Sequence, residues 1–206
     1  NYPAPGARSA RPLVYAKLPG SVSAHGALLT WDRSLTSNVD AEAELGVVIG
    51  IGGRDIRAET ALEHVFGYTC INDISSRDPW LDGDQWLLGK SMPGFCPVGP
   101  WVVTRDEIET GARAAPSGPG PWPDLGLGCT INGQPIQDGR SGGMGHSIDA
   151  LIAYLSRHVE LQPGDLIATG TPARLAGPPG PERHLRAGDT VSVRIDQIGE
   201  LTTRIG

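Results

Sequence analysis

No apolar run in this sequence approaches the ~20 residues that a helix needs to cross a bilayer, so a helical membrane protein is not expected. Positive charge is in deficit. Lys and Arg number 17 against 23 Asp and Glu, a net charge of −6, which argues against nucleic acid and anionic membrane surfaces as partners. Cysteine is scarce: Cys70, Cys96 and Cys129 form an odd, scattered set without metal-type spacing. They read as reduced, partly buried thiols in a cytoplasmic protein. No secretory segment is visible at the front of the sequence, and no internal repeat is found.

Glycine and proline are abundant, at 29 and 18 of 206 residues. The length suffices for one domain with a proper core, and the composition predicts many turns and loops. The whole chain, residues 1–206, is expected to be a single domain behind an irregular start over 1–11. Pro12–Leu18 alternates well enough for a strand. A longer one is expected over about 42–51, ended by Gly52-Gly53. Thr60 and Glu63 spell a capping box for a helix with Leu62, Val65 and Phe66 on its apolar face and Gly67 as its stop.

Tyr68–Ile71 reads as a buried strand that delivers Asn72-Asp73, and residues 74–90 read as polar loop. Pro97–Thr104 is turn followed by strand. Asn132-Gly133 between short apolar flanks predicts a tight hairpin. Ser147 is placed to cap a helix carrying Ile148, Leu151, Ile152 and Leu155. Leu166–Thr169, Val191–Ile195 and Leu201–Ile205 close the chain as strands. Many short strands and two helices give the expected class, a β-rich α+β domain.

The chemistry starts at Asp40–Gly50, where Glu42 and Glu44 stand two residues apart at the head of an apolar run. On a strand, period two points both carboxylates the same way. Two such charges ~4 Å apart at an effective dielectric of ~20 repel by about 4 kcal/mol. The pair therefore needs open water or a cation. Asp73, at the end of another apolar segment, is a third candidate. All-oxygen ligation suits Mg²⁺ or Mn²⁺ and not zinc. On spacing alone a solvated strand face remains open.

Four stretches then occur in order: VDAEAELGVVIG, GYTCINDISSRD, LGKSMPGFCPVGPWVV and LQPGDLIATGTP. Together they resemble the fumarylacetoacetate hydrolase family, in its bacterial acylpyruvase, isomerase and decarboxylase branch, from about Pro12 to the C-terminus. The resemblance implies a mixed β-sandwich roll, a homodimer, a Mg²⁺ or Mn²⁺ site, and chemistry on small-molecule 2-oxo acids or β-diketones. It implies Glu42, Glu44 and Asp73 as metal ligands, Lys90 as the active-site lysine and Arg77 as a substrate-side arginine. Thr171 matches a threonine on the loop that holds the substrate. Lys17 matches the family's lysine after the first strand, and a structural or rim role is expected for it. A 2-oxo acid can chelate a divalent ion, which stabilises the enolate formed when a neighbouring bond breaks.

The sequence also departs from that pattern. Many hydrolytic members carry a His-x-x-Glu pair shortly after an Asn-Tyr, whereas Asn1-Tyr2 is followed here by Pro3-Ala4-Pro5-Gly6. Either the water-activating dyad is lacking, or a lid is absent from this sequence. His25, on a loop near the first strand, is the best placed of the five histidines for a substrate-side role. Trp80 stands where relatives often have glutamine, and Ala173-Arg174-Leu175 replaces the usual Gly-Val-Gly, altering pocket size and charge. The expected function is metal-dependent C–C bond hydrolysis. A lyase or isomerase lacking the dyad and a non-catalytic binding homologue are the alternatives.

Overall fold

The computed structural model describes residues 11–78, 81, 85–108, 122–175 and 184–206. Two five-stranded sheets pack face to face, with a two-strand ribbon at one end. The strands are β1 (Val22–Ala24), β2 (Leu28–Leu29), β3 (Val39–Asp40), β4 (Ala43–Ile49), β5 (Val65–Asn72) and β6 (Ser75–Ser76). They continue with β7 (Cys96–Thr104), β8 (Gly126–Ile131), β9 (Gln134–Arg140), β10 (Leu166–Ala168), β11 (Thr190–Ile195) and β12 (Gly199–Ile205). Among the described residues the α-helices α1 (Trp86–Lys90) and α2 (Ile148–Ser156) join them. No helix among the described residues is long and apolar enough to cross a membrane.

The first sheet has the order β1-β7-β5-β4-β10, the second β2-β12-β11-β8-β9, and β3 pairs with β6. β1 runs parallel to β7 and β2 parallel to β12, while the remaining pairs are antiparallel, so both sheets are mixed. Alternation explains the core. Val191, Val193 and Ile195 of β11 are buried with Leu201 and Ile205 of β12, while Ser192 and Arg194 point outward. Opposite them lie Leu45, Val47 and Ile49 of β4 and Tyr68 and Cys70 of β5. The Asn132-Gly133 turn has φ of 51° and 78°, the left-handed pair that a tight hairpin requires.

Four local expectations are corrected. Pro12–Leu18 forms no strand. An alternation is nevertheless present from Val14 to Leu18, because Tyr15 and Lys17 turn inward while Val14, Ala16 and Leu18 stay exposed. The capping box does not form. Residues Ala58–His64 make a 3₁₀ helix behind Arg57, and the Thr60 hydroxyl donates to Arg57 O. Val65 and Phe66 are taken by β5, whose ladder with β4 and β7 outweighs a helix shortened to seven residues. The segment 74–90 is not all loop, since β6 and α1 lie in it. Ser147 does precede α2, but its side chain makes no capping bond.

Close sheet packing imposes glycine at position 67. A Cβ on Gly67 would meet the carbonyl oxygen of Val103 and stand 3.0 Å from Thr104 Cα, at the end pair of the β5–β7 ladder. Gly67→Ala is expected to destabilise the domain by about 1–3 kcal/mol. A denaturant midpoint equal to that of the unsubstituted protein would show that this backbone approach is not close.

Candidate metal and substrate site

The antiparallel pairing of β4 with β5 builds the site. Ala43 lies opposite Asn72 and Glu44 opposite Ile71, so Glu42 and Asp73 stand just past the paired ends of the two strands. Asp73 N–H donates to Glu42 O at 2.8 Å, which locks them together. Ligand atoms of Glu42, Glu44 and Asp73 lie within 4.8 Å of one another, and all three side chains are almost completely buried.

Three cations converge on them. Lys90, at the end of α1, donates to Glu42 Oε2 at 2.7 Å and Asp73 Oδ2 at 2.6 Å. Arg77, just after β6, pairs with Glu42 Oε1 and, at 3.5 Å, with Asp40 Oδ2. Lys17 donates to Asp73 Oδ1 at 2.6 Å and to the carbonyls of Ile74 and Phe95 at 3.0 and 2.6 Å. Lys17 therefore belongs to the inner cluster and not to its rim. The Tyr15 hydroxyl donates to Asp73 Oδ2 at 2.8 Å, and its ring stands 4.8 Å from the Lys90 ammonium. Glu44 differs. Among the described residues it makes no ion pair, and its hydrogen bond comes from Gly170 N–H at 2.8 Å.

The electrostatics follow from this arrangement. Burial, then the charges of Asp73 and Glu42, push the Glu44 carboxyl up to about 8, against the opposing pull of Lys90. For Asp73, burial acts upward but Lys17 and Lys90 outweigh it and hold the carboxyl low. For Lys90, burial acts downward but Asp73 and Glu42 outweigh it, so its pKa is raised. The lowered lysine pKa that would favour easy proton loss is not what these carboxylates produce. Burial, reinforced by the three carboxylates, keeps Tyr15 neutral and a donor. The thiols of Cys70 and Cys129 are pushed by burial up to about 12, outside thiolate chemistry near neutrality.

The donor set fits a hard divalent cation. It is all carboxylate oxygen, it is buried, and one member has a strongly raised pKa and no cationic partner of its own among the described residues. Glu42, Glu44 and Asp73 are the residues that would hold the ion.

Beside Glu42 opens a cleft of about 290 Å³, lined among others by Asp40, Arg77, Gln137, Thr171 and Arg174. Thr171 donates its hydroxyl to Ala43 O at 2.8 Å and accepts from Gln137 Nε2 at 2.7 Å. It borders the cleft while tying the loop after β10 to β4. His25 lies at the surface on the turn between β1 and β2, where its Nδ1 accepts from Thr202 N–H at 3.1 Å. Trp80 and the Asn1-Tyr2 junction lie outside the described residues. Tyr15, Asp40 and Gln137 are site residues that the sequence motifs do not reveal. Tyr15 precedes Lys17 by two, and Asp40 precedes Glu42 by two, so the period-two argument carried one step further finds both. Gln137 offers no such signal, because only the sheet-to-loop contact defines it.

A buried carboxylate triad ringed by lysines, on a mixed β-sandwich, defines a class of acidic-site domain. The fumarylacetoacetate (FAA) hydrolase C-terminal model matches residues 1–206, and the chain belongs to that family. It is 41% identical over 193 residues to an uncharacterized protein of Staphylococcus aureus strain USA300, covering 93% of this chain but 60% of that one. The chain thus spans about three fifths of the length of this curated relative.

Among solved structures, a fumarylacetoacetate hydrolase from the psychrophile Exiguobacterium antarcticum superposes with a TM-score of 0.84 at 34% identity. The overlap covers 97% of this chain and 68% of that one. A 5-carboxymethyl-2-hydroxymuconate delta-isomerase from Mycobacterium smegmatis gives 0.82 at 31%, covering 97% and 71%. A 2-hydroxyhepta-2,4-diene-1,7-dioate isomerase from Mycobacterium marinum gives 0.80 at 34%, covering 95% and 69%.

The raised Glu44 pKa has a measurable consequence. The metal-free folded protein holds this proton over a pH range in which the unfolded chain, with a value near 4.5, has lost it. Stability from this group is complete below about 4.5 and is lost as pH rises through about 8. In chelator-treated protein the melting temperature is expected to fall between about pH 5 and about pH 9 by more than in Glu44→Gln. Equal slopes in the two proteins would contradict the assignment.

Proposed function

We propose that this chain is the catalytic domain of a divalent-metal-dependent enzyme that acts on a 2-oxo acid or β-diketo substrate, with C–C bond hydrolysis as its reaction. The observation that carries the proposal is the convergence of Glu42, Glu44 and Asp73 within 4.8 Å, with Lys90 bonded to two of them. The ion, when bound, supplies Lewis-acid stabilisation of negative charge on the substrate's oxygens. The protein's own groups do the rest. Arg77 and Lys90 draw an anionic substrate into the cleft. Lys90, kept protonated by its carboxylate neighbours, places a positive charge and a proton beside the centre where charge develops. Tyr15, kept neutral, offers its hydroxyl as a hydrogen-bond donor and orients Asp73. Burial of the triad excludes bulk water and strengthens each of these interactions.

One observation favours a second reading, isomerisation or decarboxylation of a 2-oxo acid. Among the described residues the acidic cluster includes no histidine that could activate water, whereas proton donors stand close to it. Two of the structural relatives named above carry isomerase names.

A turnover screen of acylpyruvates, β-diketo acids and oxaloacetate with Mg²⁺ or Mn²⁺ tests the proposal. Metal-dependent consumption is expected, with product analysis separating C–C cleavage by water from tautomerisation or loss of CO₂. Asp73→Asn is expected to remove metal binding in calorimetry, and Lys90→Ala to reduce turnover at least ~10²-fold. Metal binding without turnover on any of these compounds would make the chain a binding homologue. Full activity of Lys90→Ala would remove that residue from the mechanism.

A further inference from the structure

Ala43 separates Glu42 from Glu44, so the path of its backbone sets how the two carboxylates stand to each other. β10 pairs with β4 at Gly46, Val47 and Val48. The loop after β10 then follows the same edge of β4. Thr169 N–H and the Thr169 hydroxyl donate to Leu45 O at 3.1 and 2.9 Å, and Gly170 N–H donates to the Glu44 carboxylate. At Ala43, which is fully buried, side chains take over from backbone. Ala43 N–H donates to Gln137 Oε1 at 2.8 Å, and Ala43 O accepts from the Thr171 hydroxyl at 2.8 Å.

Those two side chains are bonded to each other. Gln137 Nε2 donates to Thr171 Oγ1 at 2.7 Å and to Pro172 O at 2.8 Å. The sense of every bond follows from the groups involved. A backbone N–H only donates and a carbonyl only accepts, so the amide oxygen of Gln137 faces Ala43 and its nitrogen faces Pro172. The same nitrogen donates to Thr171, whose own proton goes to Ala43 O. The result is a closed ring, Ala43 N–H to Gln137, Gln137 to Thr171, Thr171 to Ala43 O, in which the bonds run in one direction and polarise one another.

Gln137 is aimed at this task from the other sheet. It is 3% exposed, while the rest of β9 is exposed or half-buried. Cys129 lies opposite Gln137 and Thr130 opposite Pro135, which leaves Ile136 as an extra residue on β9. Such a bulge re-aims the side chain beside it. The peptide unit between Glu42 and Ala43 is thereby held at both ends. Its carbonyl accepts from Asp73 N–H, and its N–H is bound by Gln137. All three carboxylate residues meet in this one backbone geometry.

We propose that Gln137 is a positioning residue for the carboxylate triad: with Thr171 it replaces a neighbouring strand beside Ala43 and holds Glu42 and Glu44 in the arrangement that binds a divalent ion. Its hydrogen bonds go to Ala43, Thr171 and Pro172, so it acts on the two glutamates through the backbone between them. This inference rests on the functional reading above, which makes the triad a divalent-ion site. Groups that orient metal ligands without binding the metal contribute about 10–100-fold to affinity.

The test is calorimetric titration of the full chain with Mn²⁺, at a temperature well below the melting point of each protein compared. Gln137→Met keeps the length of the side chain and removes its hydrogen bonds. Thr171→Val removes the hydroxyl of the ring, and Thr171→Ser keeps it. Gln137→Met and Thr171→Val are expected to bind Mn²⁺ about 10–100-fold more weakly, and Thr171→Ser to stay within about threefold of the unsubstituted protein. In chelator-treated protein, hydrogen exchange at the Ala43 amide is expected to speed up at least ~tenfold in Gln137→Met. A Gln137→Met protein with a lowered melting temperature but Mn²⁺ affinity within about threefold of the original would overturn the proposal and leave Gln137 a structural tie. So would Thr171→Ser weakened as much as Thr171→Val. Should Gln137→Met fail to fold, the two Thr171 variants decide by the same comparison. Unsubstituted protein that binds no Mn²⁺ would overturn the functional reading and this inference with it, whereas normal binding there with unaffected variants overturns this inference alone.

Discussion

Three carboxylates brought within 4.8 Å of one another inside a protein are the constraint on which the rest of this structure depends. At that separation and an effective dielectric of ~20, each pair repels by about 3 kcal/mol. The fold answers with cations drawn from unrelated parts of the chain. Lys17 comes from the extended stretch before the first strand, Lys90 from a five-residue helix, and Arg77 from beyond the β3–β6 ribbon. Each of these pieces is short, and none packs a large apolar face. Their placement makes sense as counter-charge. Among the described residues Glu44 is the member left with only a backbone donor, and its pKa is raised first by burial and then by the charges of Asp73 and Glu42.

Much of this is legible from residue types and spacing, and the reasons are local. Asn132-Gly133 spells its own turn, and the alternating Val191–Ile195 spells its own strand. The triad is legible because period two aligns Glu42 with Glu44 and because four motifs recur in order. Features that depend on distant partners are not. Val65 and Phe66 fit a helical face equally well, and only the β4 and β7 ladders decide for strand. Pro12–Leu18 has strand-like alternation but makes no ladder; its alternation serves to aim Tyr15 and Lys17 at Asp73. Gln137 joins three segments through one side-chain amide, a role that no local pattern encodes.

The relatives include a hydrolase and isomerases of similar fold. An acidic cluster of this kind would suit either chemistry, because both develop negative charge at a substrate oxygen. What would separate them lies around the cluster, in the groups that move a proton and the groups that line the cleft. Among the described residues Lys90 and Tyr15 donate hydrogen bonds to the cluster, and Asp40, Arg77 and Arg174 line the cleft beside Glu42. The Thr171–Leu175 loop, clamped through Gln137, is where the wall of the cleft is set.

The central claim is that the buried triad is a divalent-cation site and not a self-compensated ionic knot. Anomalous diffraction from crystals of the chain grown with Mn²⁺ tests it most directly. The account predicts one strong peak bonded to oxygens of Glu42, Glu44 and Asp73 together, with the Lys90 ammonium withdrawn from between Glu42 and Asp73. Crystals with Mn²⁺ in excess that show no peak there, and Lys90 still bonded to both carboxylates, would contradict it.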